Sequence, residues 1–362
     1  VFTLLKILNA KDGGLRELQK KRIQDYDAYL PAVSEILRRV KEGGDGAVFA
    51  YTKKFDKAEI NAANFLVTQE EIARAYAAVE PETLACLRRA LENIRKFHER
   101  QRQNAWLAAD ESGSLMGQLV TPIERAGIYV PGGTAPLLSS VLMNAVPATV
   151  AGVKEIVMVT PPQKDGQVNP YVLAAAAEAG VAKIFKAGGA QAVAALAYGT
   201  ESVPKADVIT GPGNIYVTLA KKLVYGEVNI DMLAGPSEIL IIADSSANPV
   251  FLAADLLSQA EHDVLASAVL LSPDENLLKE TAIELEKQLA LLPRKEIAAQ
   301  SLRDYGALVL TKDLDEAMEL ANEWAPEHLE IETAQPFDLL PKVKNAGSVF
   351  LGSYSAEPVG DY

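Results

Sequence analysis

Apolar residues recur at helical spacing through about the first hundred positions, then switch near Leu115 to short β-branched runs separated by helical stretches. In the leading part, Ala32 to Lys41 is periodic and stops at Gly43-Gly44, and Asp45 is placed to cap a second helix from Gly46 to Phe55. Thr68-Gln69-Glu70-Glu71 has the form of a capping box opening a third helix. Pro81 starts a long charged helix to about Gln103, and His98 falls on what reads as its solvated face.

Beyond Leu115 the pattern predicts strands at Gly127 to Val130, Ile156 to Val159, Lys183 to Lys186 and Asp207 to Thr210. A second series follows at Ile239 to Ile242, Ser267 to Leu271, Ala307 to Leu310, Leu329 to Glu332 and Val349 to Leu351. Helices fill the gaps, including Leu137 to Val153, one opened by Asn169-Pro170 and ended at Gly180, Val250 to His262, and Leu277 to Leu291. Strand-helix alternation of this length implies α/β architecture: two similar doubly wound domains with mostly parallel sheets, each an incomplete Rossmann-like arrangement, plus additional N-terminal helices. The expected division is an N-terminal helical segment (1–25), a discontinuous α/β domain (26–125 with 238–362), and a second α/β domain (126–237) carrying glycine-rich loops.

Composition narrows the function. Apolar residues make up 49% of the chain, enough to cover both faces of a sheet, and the net charge of -13 without a basic block excludes nucleic acid as a partner. The single cysteine, Cys86, rules out an intramolecular disulfide and reads as a packing residue in a reducing compartment. No run reaches the ~20 apolar residues of a membrane span, and no basic region with a cleavable apolar stretch opens the chain. A cytoplasmic location is expected.

Candidate chemistry lies in two places. Glycine-rich loops follow strands at Val130-Pro131-Gly132-Gly133-Thr134, Ala187-Gly188-Gly189-Ala190-Gln191 and Thr210-Gly211-Pro212-Gly213-Asn214, and the last two lead into helices whose N-termini favour anions. They fit a dinucleotide cleft of non-standard spacing or ordinary βα turns. The other place is histidine. Gln259 and His262, three apart, share a helix face and suit a metal or a solvated helix end. In Ala325-Pro326-Glu327-His328, proline keeps Ala325 out of helical geometry, so a turn presents an acid and an imidazole, either a proton-transfer pair or a polar surface turn. Asp361 alone predicts nothing.

Six motifs in order resemble the histidinol dehydrogenase family: Arg125 to Gly133 (RAGIYVPGG), Ala187 to Ala192 (AGGAQA), Gly211 to Asn214 (GPGN), Ala234 to Glu238 (AGPSE), Gln259 to His262 (QAEH) and Ala325 to Leu329 (APEHL). The resemblance covers essentially the whole chain. It implies zinc- and NAD-dependent, four-electron oxidation of L-histidinol to L-histidine through L-histidinaldehyde, the last step of histidine biosynthesis. On matching positions it implies Gln259, His262 and Asp361 as zinc ligands, and Ser237, Gln259, His262, His328 and Asp361 as substrate contacts. Tyr129, Gln191 and Asn214 become NAD contacts, and Glu327 and His328 the catalytic acid/base pair. The family forms homodimers in which a further helical tail brings another histidine ligand and a substrate-contacting Glu to the partner's site; the present sequence stops before that tail. Two other readings stay open on residues alone: a zinc-dependent hydrolase or lyase on this scaffold, and a truncated form that binds zinc or nucleotide without turnover.

Overall fold

The computed structural model describes residues 5, 7–21, 27–132 and 138–360. The chain divides into two compact units. The first begins with a short strand, β1 (Ile7–Asn9), and a helix, α1 (Gly14–Lys21), and resumes at Gly235.

The second unit runs from Asp27 to Ala234 within the described residues. Its helices α2 (Leu30–Phe55), α3 (Gln69–Ala78) and α4 (Pro81–Glu99) precede a hairpin of β2 (Trp106–Ala109) and β3 (Leu115–Gln118). Then come β4 (Arg125–Tyr129), α5 (Leu138–Ala151), β5 (Glu155–Thr160), α6 (Pro170–Glu178), β6 (Lys183–Lys186), α7 (Gly189–Tyr198), β7 (Val208–Thr210), α8 (Ile215–Val224) and β8 (Asn229–Ile230). The five strands from β4 to β8 form one parallel sheet in the order β6-β5-β4-β7-β8. The sheet switches direction of winding between β4 and β7.

Local signals act as their chemistry demands. Thr68 and Glu71 complete the capping box, and the Asn169 side chain accepts the Tyr171 N–H. α2 breaks at Gly44 (φ 52°, ψ −140°), where the backbone lies against the Glu201 carboxylate that accepts the Asp45 N–H. The Asp45 side chain, expected as a cap, bonds instead to Thr200 Oγ1 and Ser202 Oγ, both at 2.5 Å.

Two expectations are corrected here. Residues 26–125 were assigned to the domain of 238–362; the described part packs with residues 126–234 instead. The reason is that Ala190 to Ala197 on α7 are buried all round, so that helix needs a covering layer. The stripe Val33, Ile36, Leu37, Val40 and Val48 of α2 supplies it, and Leu87, Ala90 and Ile94 of α4 join the core that holds the buried residues of α5 and α6. Cys86 lies on the open face of α4 and is exposed, so it is no packing residue.

From Gly235 the first unit continues with β9 (Glu238–Ala243), α9 (Pro249–Ala260), β10 (Ser267–Ser272), α10 (Glu275–Leu289), α11 (Lys295–Tyr305), β11 (Gly306–Leu310), α12 (Leu314–Trp324), β12 (His328–Glu332) and β13 (Ser348–Leu351). All six strands are parallel, ordered β1-β11-β10-β9-β12-β13. One face of this sheet packs on α9, α10 and α11, the other on α1 and α12. Both units are therefore doubly wound, Rossmann-like α/β folds.

Candidate active site

In the first unit, polar groups gather at the amino ends of β9 and β12. Ala325 ends α12 in the left-handed region (φ 53°), Pro326 follows, and the turn delivers Glu327 and His328 to the start of β12. His328 pairs in register with Ile239, so it sits beside the first residues of β9. Its Nδ1 lies 3.0 Å from the Glu238 carbonyl oxygen and 2.9 Å from Gln259 Oε1. A carbonyl only accepts, so Nδ1 carries a proton and donates here. Nε2 is 3.7 Å from Glu357 Oε1. Glu327 Oε2 accepts the Glu238 N–H at 3.3 Å, which fixes the acid beside the imidazole.

Gln259 reaches this cluster because α9 runs back against the strands and ends at their amino edge. It is almost fully buried, whereas His262 is exposed. The helix stops at Ala260, short of the expected His262, whose N–H bonds back to the Gln259 carbonyl at 3.2 Å in the turn beyond. Ser237 is partly buried just ahead of β9. Asp361 lies outside the described residues. An imidazole and an amide oxygen at this helix end make a nitrogen-oxygen donor set of the kind a borderline divalent ion takes, so the described residues fit zinc.

The same face of β12 carries Glu330 and Glu332 at the strand period of two, opposite Asp255, one helical turn before Gln259. One carboxylate oxygen from each of the three lies within 4.8 Å of the others. Glu330 Oε2 and Glu332 Oε2 are buried without a hydrogen-bond partner, while Glu330 Oε1 accepts the Glu357 N–H at 2.8 Å. Burial, with the charges of Asp255 and Glu332 added, pushes the Glu330 carboxyl up to about 9. Burial and the Asp255 charge raise Glu332 as well. No sequence motif singled out these acids or Glu357; Leu329 to Glu332 read simply as a strand.

In the second unit the expected dinucleotide residues lie at the carboxyl ends of strands, around the β4/β7 switch. Tyr129 ends β4, is buried, and its hydroxyl accepts the Gly189 N–H at 3.1 Å. Burial pushes its phenol up to about 12, so it stays neutral. Gln191, in the first turn of α7, is almost fully buried, and neither amide atom has a partner. An orphaned primary amide at a helix N-terminus fits a polar ligand that supplies both a donor and an acceptor. Asn214 caps α8, its Oδ1 accepting from the Tyr216 and Val217 N–H groups. The glycine loop ahead of it is tied down by buried Lys221, which donates to the Gly211 carbonyl and to Asp231, and Asp231 Oδ2 accepts the Gly211 N–H. At Gly211 (φ 116°) a Cβ would run into the Tyr129 carbonyl. Thr134, in the third glycine-rich loop, lies outside the described residues.

Comparison with known proteins gives the family. A family model described as histidinol dehydrogenase matches residues 19–362. The histidinol dehydrogenase of Heliobacterium mobile is 57% identical over 95% of this chain and 80% of its own length. That of Moorella thermoacetica is 57% identical over 99% of this chain and 84% of its own. The crystal structure of histidinol dehydrogenase from Elizabethkingia anophelis superposes with a TM-score of 0.95 at 42% identity, covering 100% of this chain and 83% of that one.

Proposed function

Because the chain belongs to the histidinol dehydrogenase family, oxidoreductases of histidine biosynthesis, we propose that it oxidises L-histidinol to L-histidine by way of L-histidinaldehyde, using zinc and two molecules of NAD. The observation that carries this reading is the His328 ring. Its Nδ1 proton is held by the Glu238 carbonyl, and its basic Nε2 faces a carboxylate where positive charge would develop.

Gln259, His262 and Asp361 would hold zinc, which would supply a Lewis-acidic anchor for the substrate's imidazole and amine. His328 Nε2 would take the alcohol proton as the carbinol carbon gives up hydride, for which NAD, when bound, would be the acceptor. Gln259 keeps the ring oriented through its contact with Nδ1, and Ser237, His262 and Asp361 hold the substrate beside it. Glu327 would then take a proton from the water that adds to the aldehyde, and the hydrate would give up a second hydride, with NAD as the acceptor it needs, and its remaining hydroxyl proton to solvent as the carboxylate forms. Tyr129, Gln191 and Asn214 hold the dinucleotide in the second unit. The neutral Tyr129 acts through the turn it fixes at Gly189.

The homodimer of the family extends to this chain in our reading. Trp106, Leu107, Leu115 and Met116 on the β2–β3 hairpin are all more than half exposed, which suits a face covered by a second copy. Among the described residues no helix is long and apolar enough to cross a membrane, and we place the enzyme in the cytoplasm. The test is NADH formed per L-histidinol consumed with zinc present. Two per substrate is expected. One per substrate, with aldehyde accumulating, would remove the second oxidation, and none would overturn the reading.

A further inference from the structure

α2 and α7 share one core, and contacts from Asp45 to Thr200 and from Phe49 through Phe65 to Phe185 imply opposed chain directions. Asp45, near the middle of α2, bonds to Thr200 and Ser202 just past the end of α7. From there Asp56 is eleven residues onward and Gly189 eleven residues back. At about 1.5 Å per helical residue each path covers roughly 16 Å, so the end of α2 arrives beside the start of α7. Ring contacts follow the same line: Phe49 meets Phe65 at 5.0 Å, and Phe65 meets Phe185, three residues before Gly188, at 5.1 Å. The Asp56 charge accordingly reaches Tyr129, whose hydroxyl holds the Gly189 N–H.

Asp56 is only partly buried, yet its Oδ2 is shut away from solvent with no hydrogen-bond donor. No lysine or arginine among the described residues forms an ion pair with it: Lys53 pairs with Glu59, and Lys57 Nζ donates to the Lys54 carbonyl. Burial alone pushes its carboxyl up to about 6. The next residue, Lys57, turns the chain in the left-handed region (φ 60°), uncommon for a side chain of this type. Asp56 caps nothing through its side chain, since only its backbone N–H closes the helix on Thr52. A carboxylate oxygen buried without a donor, at the end of α2 that this packing carries toward the start of α7, has the features of a group waiting for donors from a ligand.

We propose that Asp56 accepts hydrogen bonds from ribose hydroxyls of the bound dinucleotide and sets the preference for NAD over its 2′-phosphorylated form. A carboxylate binds vicinal hydroxyls well and repels a phosphate in the same position, which is how acidic residues discriminate in other doubly wound folds. The assignment rests on the dinucleotide reading of Gln191 given above.

The test compares the unaltered chain with Asp56→Asn, Asp56→Ala and Gln191→Ala, measuring NAD and NADP dissociation constants by calorimetry and the thermal midpoint of each. Asp56→Asn is expected to weaken NAD about tenfold, the worth of one hydrogen bond to a charged group, and to weaken NADP less or to strengthen it. Its midpoint is expected to equal or exceed that of the unaltered chain, because an unpaired carboxylate has been removed. An NAD/NADP affinity ratio within twofold of the unaltered value, with Gln191→Ala still weakening NAD, overturns the role of Asp56 and leaves the dinucleotide site standing. A lowered midpoint in Asp56→Asn with an unchanged ratio makes the residue structural and also overturns it. Failure of the unaltered chain to bind NAD removes both assignments together.

Discussion

The two units wind their sheets alike and place polar chemistry at opposite edges. Numbering each unit's core strands in chain order, both read 3-2-1-4-5, with β1 added outside β11 in the first unit. In the second unit Tyr129, Gln191 and Asn214 lie beyond the carboxyl ends of strands, where open α/β sheets usually hold ligands. In the first, His328, Glu327 and Ser237 stand at the amino ends, met there by the C-terminal end of α9. The materials differ too. On the proposed reading the second unit would work through loop backbone and a helix start, which suits a cosubstrate that must come and go. The first works through side chains on a strand and a helix packed face to face, which suits groups held to a few tenths of an ångström during proton transfer.

If the amino edge of the first unit is the chemical centre, the largest effects arise there. His328→Ala is expected to lower kcat for histidinol by 10²–10⁴-fold, the usual contribution of a general base. Glu327→Gln is expected to slow oxidation of the aldehyde more than that of the alcohol, since water addition belongs to the second half. Presteady-state NADH formation from each substrate separates the two, and equal losses on both would dissolve that division of labour. His262→Ala is expected to lose bound zinc, read by elemental analysis after dialysis; unchanged zinc content would remove it from the ligand set. At the other edge a smaller, purely binding effect is expected. Gln191→Ala weakens NAD about tenfold without altering zinc content. The reversed pattern, with zinc lost and NAD retained, would mean that the two edges have been exchanged.

Much of this contrast was legible in the residues and part was not. The strand-helix alternation announced both sheets, Pro326 announced the turn after α12, and Thr68 to Glu71 announced its own helix start, because each depends on local geometry. The packing of α2 to α4 was not legible. Their apolar stripes state that a partner exists, and only the all-round burial of α7 decides which. The β2–β3 hairpin escaped because its strands, WLAA and LMGQ, leave every residue exposed and show no buried face. Asp56 and Glu357 escaped for a different reason. A single acid carries no spacing, and its meaning comes from what surrounds it.

The least visible difference between the units is the polar face of β12, and it yields the smallest effect. Glu330 and Glu332 each leave one carboxylate oxygen buried without a partner, and among the described residues no cation pairs with Glu330. Protons therefore offset the charge. The carboxyl of Glu330, pushed up to about 9 by burial and by Asp255 and Glu332, binds a proton in the folded chain at pH values where the unfolded chain has released it. The folded state thus holds more protons from about pH 4.5 to about 9, and linkage requires stability to fall as pH rises through that window. Glu330→Gln removes the titration, while its amide oxygen still accepts the Glu357 N–H. The expected outcome is a thermal midpoint that declines less between pH 6 and pH 9 than that of the unaltered chain, by a few degrees at the upper end. Parallel declines in the two proteins would show that the face ionises freely and that its acids are not held neutral by the packing of α9 on β12.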